Sequence, residues 1–181
     1  MRRKMDKDMQ PAVKSRVTSR LATLLIVVMI VAPALLSLVF IVSYGVNCVY
    51  MDQWEIVPLF DKLHTGTLSF NDLIAQHNEH RPLLPRLAML GMGSLTHYNT
   101  IAEMYLSWAL MCLVCLILFK LFTSSFGFSK ISMARFIPVP WLVFSLKQYE
   151  NMLWGFELVH FMVILFFLLA VYLLAQSRRL H

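Results

Sequence analysis

Between Arg20 and Asp52 the chain carries no Asp, Glu, Lys, Arg or His. Charge is scarce throughout: 16 Lys and Arg with 10 Asp and Glu make up 14% of 181 residues, against 59% hydrophobic. Soluble domains hold about a quarter charged residues, so this balance excludes an ordinary water-soluble fold. A helix needs about 20 apolar residues to cross hydrocarbon at 1.5 Å per residue. Residues 21–44 supply 24. The run is longer than the roughly 7–15 apolar residues of a secretory leader. No small-x-small cleavage site follows it at Ser43-Tyr44-Gly45-Val46-Asn47. It reads as a retained anchor.

Cysteine is scarce too. Three cysteines cannot build a disulfide framework. Cys112 and Cys115 lie three residues apart in an apolar run and read as small packing groups, and Cys48 as a free thiol just outside the membrane. No paired C-x-x-C motif points to zinc. Internal repeats and low-complexity tracts are absent.

The net charge of +6 does not indicate nucleic acid. Seven of the 16 basic residues (Arg2, Arg3, Lys4, Lys7, Lys14, Arg16, Arg20) precede the first apolar run. Lys and Arg flanks stay cytoplasmic, and there they can touch anionic lipid. The sequence therefore predicts an all-α polytopic transmembrane bundle of about four spans. A basic cytoplasmic tail over 1–20 leads into spans at about 21–44, 102–122, 131–147 and 153–176, with a short cytoplasmic tail at 178–181.

The first span contains Pro33, a candidate kink. The third is the shortest: residues 136–146 give 11 uncharged positions, including Pro138 and Pro140, so a re-entrant segment is the alternative. The segment 45–101 is too charged for hydrocarbon and is expected as one extracytoplasmic loop. It holds five acids (Asp52, Glu55, Asp61, Asp72, Glu79) against Lys62, Arg81 and Arg86. Within it, Ser69-Phe70-Asn71-Asp72 fits a helix-capping pattern, and Pro82 suits the first turn of a largely apolar helix. Amphipathic helices along the membrane surface are expected there. The basic 123–135 loop and Arg178-Arg179 put both termini in the cytoplasm.

Three polar clusters gather on the extracytoplasmic side. In Met51-Asp52-Gln53-Trp54-Glu55, a helix would bring Asp52 and Glu55 onto one face. Two carboxylates there serve as a general base, bind a divalent cation, or simply end a transmembrane helix in water. In His77-Asn78-Glu79-His80-Arg81, a helix would aim His77, His80 and Arg81 at one patch. Arg81 and Arg86 suit a phosphate, a solvated loop being the plainer reading. From Lys147 to His160, Glu150, Glu157 and His160 fall close to one helical stripe descending about 15 Å into the membrane. Ionisable groups at depth usually face protein or water.

These motifs resemble the GT-C-type glycosyltransferases, polytopic enzymes that use polyprenyl-phosphate-linked sugars. In that family an acid just after the first span serves as base, and Asp52 in Tyr50-Met51-Asp52-Gln53-Trp54-Glu55 stands at the matching position. The stretches His77-Asn78-Glu79-His80-Arg81 and Gln148-Tyr149-Glu150-Asn151-x-x-Trp154-Gly155-Phe156 look like motifs of bacterial members, and the likeness covers about residues 15–177. The resemblance implies catalysis by Asp52 and Glu55. It also implies substrate binding by His77, His80, Arg81, Arg86, Glu150, Asn151 and Glu157. The donor would be a lipid-linked sugar, with a divalent cation (Mg or Mn) as the one cofactor to consider, in a bacterial plasma (inner) membrane. Family members have many more spans, so the chain is expected to be the N-terminal part of such an enzyme. Two other readings stand beside this one: a non-catalytic membrane subunit, and a small transporter using Glu157 and His160.

Overall fold

The computed structural model describes residues 2–78 and 80–177, with side chains from Ser19 onward. Glu79 and the expected cytoplasmic tail 178–181 lie outside the described residues. Among the described residues the chain is helical throughout, with an isolated bridge between His77 and His80 as its only β-type pairing. In chain order the helices are α1 (Arg2–Tyr44), α2 (Val57–His64), α3 (Phe70–Leu73), α4 (Leu83–Thr96) and α5 (Thr100–Phe126). Then come α6 (Lys130–Phe136), α7 (Pro138–Val143), α8 (Tyr149–Leu153) and α9 (Leu158–Ser177). Short 3₁₀ helices cover Met51–Ile56, Leu146–Gln148 and Gly155–Glu157.

Three stretches are long and apolar enough to cross a membrane: Ser19–Tyr44, Thr100–Phe126 and Gly155–Ser177. They correspond to the first, second and fourth expected spans and fit a multi-pass membrane protein. From Arg2 the basic N-terminal segment is helical and continuous with the first apolar run, as α1. The third expected span is not one helix. It breaks at Ile137, where α7 restarts with Pro138 in its first turn. A proline there has no N–H to give and clashes with a continuing helix behind it.

Side-chain contacts fix how these pieces run. The backbone N–H of Thr100 donates to Asn47 Oδ1 (2.9 Å) and Trp108 Nε1 to the Ala34 carbonyl (2.9 Å), so α5 returns antiparallel to α1. Lys130 Nζ donates to the Ser19 carbonyl (3.0 Å), Trp141 Nε1 to that of Met29 (2.9 Å) and Trp154 Nε1 to that of Tyr50 (3.2 Å). Residues 130–154 therefore climb beside α1 in its own direction and along its length, as short helices joined end to end. The Lys120 ammonium lies 5.9 Å from the centre of the Tyr172 ring, and Gly155 packs against Glu103, so α9 runs alongside α5.

Pro33 leaves α1 unbroken. Having no N–H, it frees the carbonyl four residues earlier, that of Met29, which is the one Trp141 reaches.

Two apolar cores result. Ile41, Met104, Met111, Phe144, Met152 and Phe161 join the long helices. Ile56, Leu59, Met89, Leu90, Phe156 and Leu158 join the 45–101 helices to the start of α9. That segment is thus a packed cap on one end of the bundle. Its expected capping box is present: Ser69 Oγ accepts from the Asp72 amide while Asp72 accepts from that of Ser69. The apolar helix expected after Pro82 is α4, with Pro82 as its N-cap.

Candidate functional site

The cap and the start of α9 enclose a cleft of about 760 Å³. Asp52, His77, His80 and Arg81 line one part of it, and Glu157 and His160 another. Val159, Met162, Val163, Ile164 and Phe166 of α9 make an apolar wall that continues down the helix. Pockets of this size, mostly apolar with a few convergent polar groups, are where ligands bind.

Asp52 and Glu55 owe their alignment to the 3₁₀ form of Met51–Ile56, in which residues three apart eclipse. Both carboxylates then meet one imidazole. Glu55 Oε2 lies 2.5 Å from His77 Nδ1, and Asp52 Oδ2 lies 3.4 Å from Nε2. His77 is 7% exposed and rests against the Phe156 ring, centroids 5.3 Å apart. Its backbone is clamped as well. His77 and His80 exchange N–H to carbonyl bonds of 2.8 Å each, closing a tight turn in which Asn78 adopts φ 47°. Asn tolerates that left-handed conformation better than most residues. The expected helix over this stretch is therefore a hairpin. It still brings His77, His80 and Arg81 to the same cleft.

Arg86 is placed differently. It is 6% exposed, and its guanidinium donates to the carbonyls of Leu73 (3.1 Å) and Ala75. It does not line the cleft; it holds the chain entering the His77 turn. Burial pushes its pKa down, the Glu55 charge opposing, yet an arginine stays protonated.

The expected stripe of Glu150, Glu157 and His160 does not form. The backbone turns extended at Trp154 between α8 and the 3₁₀ helix Gly155–Glu157. Glu150 is exposed and accepts from the Tyr149 hydroxyl (3.0 Å). Asn151 is half-buried, and neither it nor Glu150 lines the cleft. Glu157 Oε2 and His160 Nδ1 do meet, at 2.6 Å, on the cleft wall.

Glu103, in the first turn of α5, is a residue the sequence did not single out. It is 1% exposed and accepts a hydrogen bond from Gln53 Nε2. Gln53, between Asp52 and Glu55, is itself fully buried. Gly155 permits the approach: a Cβ there would collide with the Glu103 carboxylate and stand 3.1 Å from Gln53 Nε2. Tyr98 closes this layer by donating to the Gln53 carbonyl (3.3 Å). Burial, aided by the Glu103 charge, pushes its phenol up to about 12. A signal for Glu103 existed in its spacing, since Thr100, Glu103, Ser107, Met111 and Val114 form one buried stripe of α5.

Among the described residues, no group of three or more His, Cys, Asp or Glu side chains converges to hold a metal ion. No protein-family model, curated protein or solved structure matches the chain.

Proposed function

We propose that the chain crosses its membrane four times with both termini cytoplasmic, and that the cleft is the outer-face site of a GT-C-type glycosyl transfer. The path of residues 130–154 beside α1 supports a third crossing made of short helices, buried by its neighbours where its helical bonding is interrupted. Ser19, Arg20 and Lys130 gather at the other end, as a cytoplasmic face requires. Exposed Cys48 tests the orientation: a membrane-impermeant maleimide should label it in intact cells. Labelling only after lysis would reverse the topology.

The observation that carries the functional reading is the cleft's two-part lining, charged groups of the cap above an apolar wall of α9. An amphiphile with an anionic head and a hydrocarbon tail matches both parts. Polyprenyl-phosphate sugars have that chemistry. Asp52 takes the proton of an acceptor hydroxyl, the oxygen bonds to the anomeric carbon, and the carbon–oxygen bond to phosphate breaks with its electrons on the phosphate. Arg81 and His80 stabilise that leaving charge. No step is assigned to a metal. Glu157 and His160 sit on the same wall, so their pairing favours a substrate surface over a route through the bundle.

The test is sugar transfer from polyprenyl-phosphate donors by the chain in nanodiscs. Asp52→Asn should lower the rate about 10²- to 10⁴-fold, the usual worth of a positioned base. An unchanged rate removes Asp52 from the chemistry. Ion or solute uptake by the wild-type chain that is lost in a Glu157→Gln, His160→Asn double variant would instead support the transporter reading.

A further inference from the structure

We infer that His77 receives the proton that Asp52 removes, with Glu55 as the group that orients and supports the ring. The inference rests on the transferase reading and deepens it. A carboxylate that abstracts a proton must shed it before the next turnover, and among the described residues Asp52 has one basic side chain at ion-pair distance, His77 with Nε2 at 3.4 Å. The other ring nitrogen is already committed, because Nδ1 lies 2.5 Å from Glu55 Oε2. Both carboxylates accept only and the neutral ring has one hydrogen, which goes to the nearer oxygen, so Nδ1 carries it and Nε2 is left as the acceptor. The Asn78 side-chain amide, 3.4 Å from Nε2, is a donor that suits that tautomer.

The proton balance is simple. The acceptor's O–H proton passes to Asp52 and from there to Nε2. The resulting imidazolium lies between two carboxylates and keeps Asp52 ionised through bond formation. When product leaves the open cleft, Nε2 returns the proton to water and the ring keeps its Nδ1 hydrogen. Glu55 fixes the tautomer and orientation of the ring as the carboxylate of a Ser-His-Asp triad does, while Asp52 stands between the ring and the acceptor. The groups around the ring are Asp52 and Glu55 on the 3₁₀ helix, Arg86 from α4, Glu157 beside Phe156, and His80 across the turn. The buried ring and its clamped backbone hold Nε2 on Asp52 without a search of rotamers.

The experiment uses the full chain in nanodiscs with a polyprenyl-phosphate sugar donor, and follows transfer against pH. His77→Ala should lose about 10²-fold or more together with the acid limb of the pH–rate profile. Imidazole and its methyl derivatives should restore the rate in proportion to their basicity, which cavity filling alone would not do. Glu55→Gln changes an exposed position that tolerates substitution, and should lower the rate about tenfold while leaving the donor KM unchanged. Wild-type pH dependence in both variants, or rescue that ignores azole basicity, overturns the role of His77 while the transferase stands. A wild-type chain that transfers no sugar overturns both.

Discussion

The 3₁₀ helix Met51–Ile56 has two sides, and the same residue types do opposite things on them. On the buried side Gln53 is locked to Glu103 beneath Gly155, and Arg86 nearby is held by two carbonyls. On the other side Asp52 and Arg81 line the cleft with polar atoms open to a ligand, and Glu55, bonded to His77, is 54% exposed in its side chain. The difference lies in partners. A polar group bonded and sealed inside the protein is out of a substrate's reach, and its bonds hold the fold together, even where one atom such as Gln53 Oε1 is left without a partner. One that stays partly wet contributes little to stability and keeps its capacity for a ligand.

The sharpest way to break this contrast is to exchange the two arginines' fates. Arg86→Ala orphans the carbonyls of Leu73 and Ala75 and should cost about 2–4 kcal/mol in denaturant unfolding followed in detergent. Arg81→Ala should stay within about 0.5 kcal/mol of wild type, yet weaken binding of a polyprenyl phosphate roughly tenfold. Equal effects of the two on stability would erase the distinction. A smaller test is Gly155→Ala, where the new Cβ must push Glu103 off Gln53. A loss of about 1–3 kcal/mol is expected from such overpacking, and a variant that unfolds like wild type would mean the layer is loosely packed.

The smallest effect belongs to a charge on neither side. Asp72, bonded to Lys62 and to the Ser69 hydroxyl and amide, has a carboxyl held well below its ordinary value of 3.8. A lowered folded value means its contribution is complete above the ordinary value and disappears only as pH falls well below it. Hydrogen exchange of the 69–74 amides should therefore be flat from pH 7 down to about 4 once corrected for intrinsic rates, and Asp72→Asn should speed it throughout. Protection lost already at pH 6 would contradict that pairing.

Much of the architecture was legible because hydrocarbon is an unforgiving solvent. Three long apolar runs with few charges had to be helices, and Ser69 with Asp72 announced their box. The broken segment 130–154 was legible only as trouble, since Pro138 and Pro140 say where a helix stops but not which neighbours support the pieces. The site was harder. Arg81 and Arg86 look alike in one dimension. They separate only when Arg86 is set on the α4 face it shares with Met89, Leu90 and Gly93, all buried. The sequence left the His77 stretch open between a helix and a solvated loop, and the turn at left-handed Asn78 was not foreseen. Gln53 and Glu103 are 50 positions apart, and no spacing rule links them.

The indole of Trp141 on the Met29 carbonyl has a consequence for how the molecule is made. Lipid offers no water to a stray carbonyl. A newly inserted first helix would carry an open acceptor in mid-chain until residue 141 arrived, 112 positions later. Notch and key then fix the axial register of the two elements, since a slide of one turn, about 5.4 Å, would part them. The proline is in effect a keyway, cut early in synthesis and filled when the broken crossing docks.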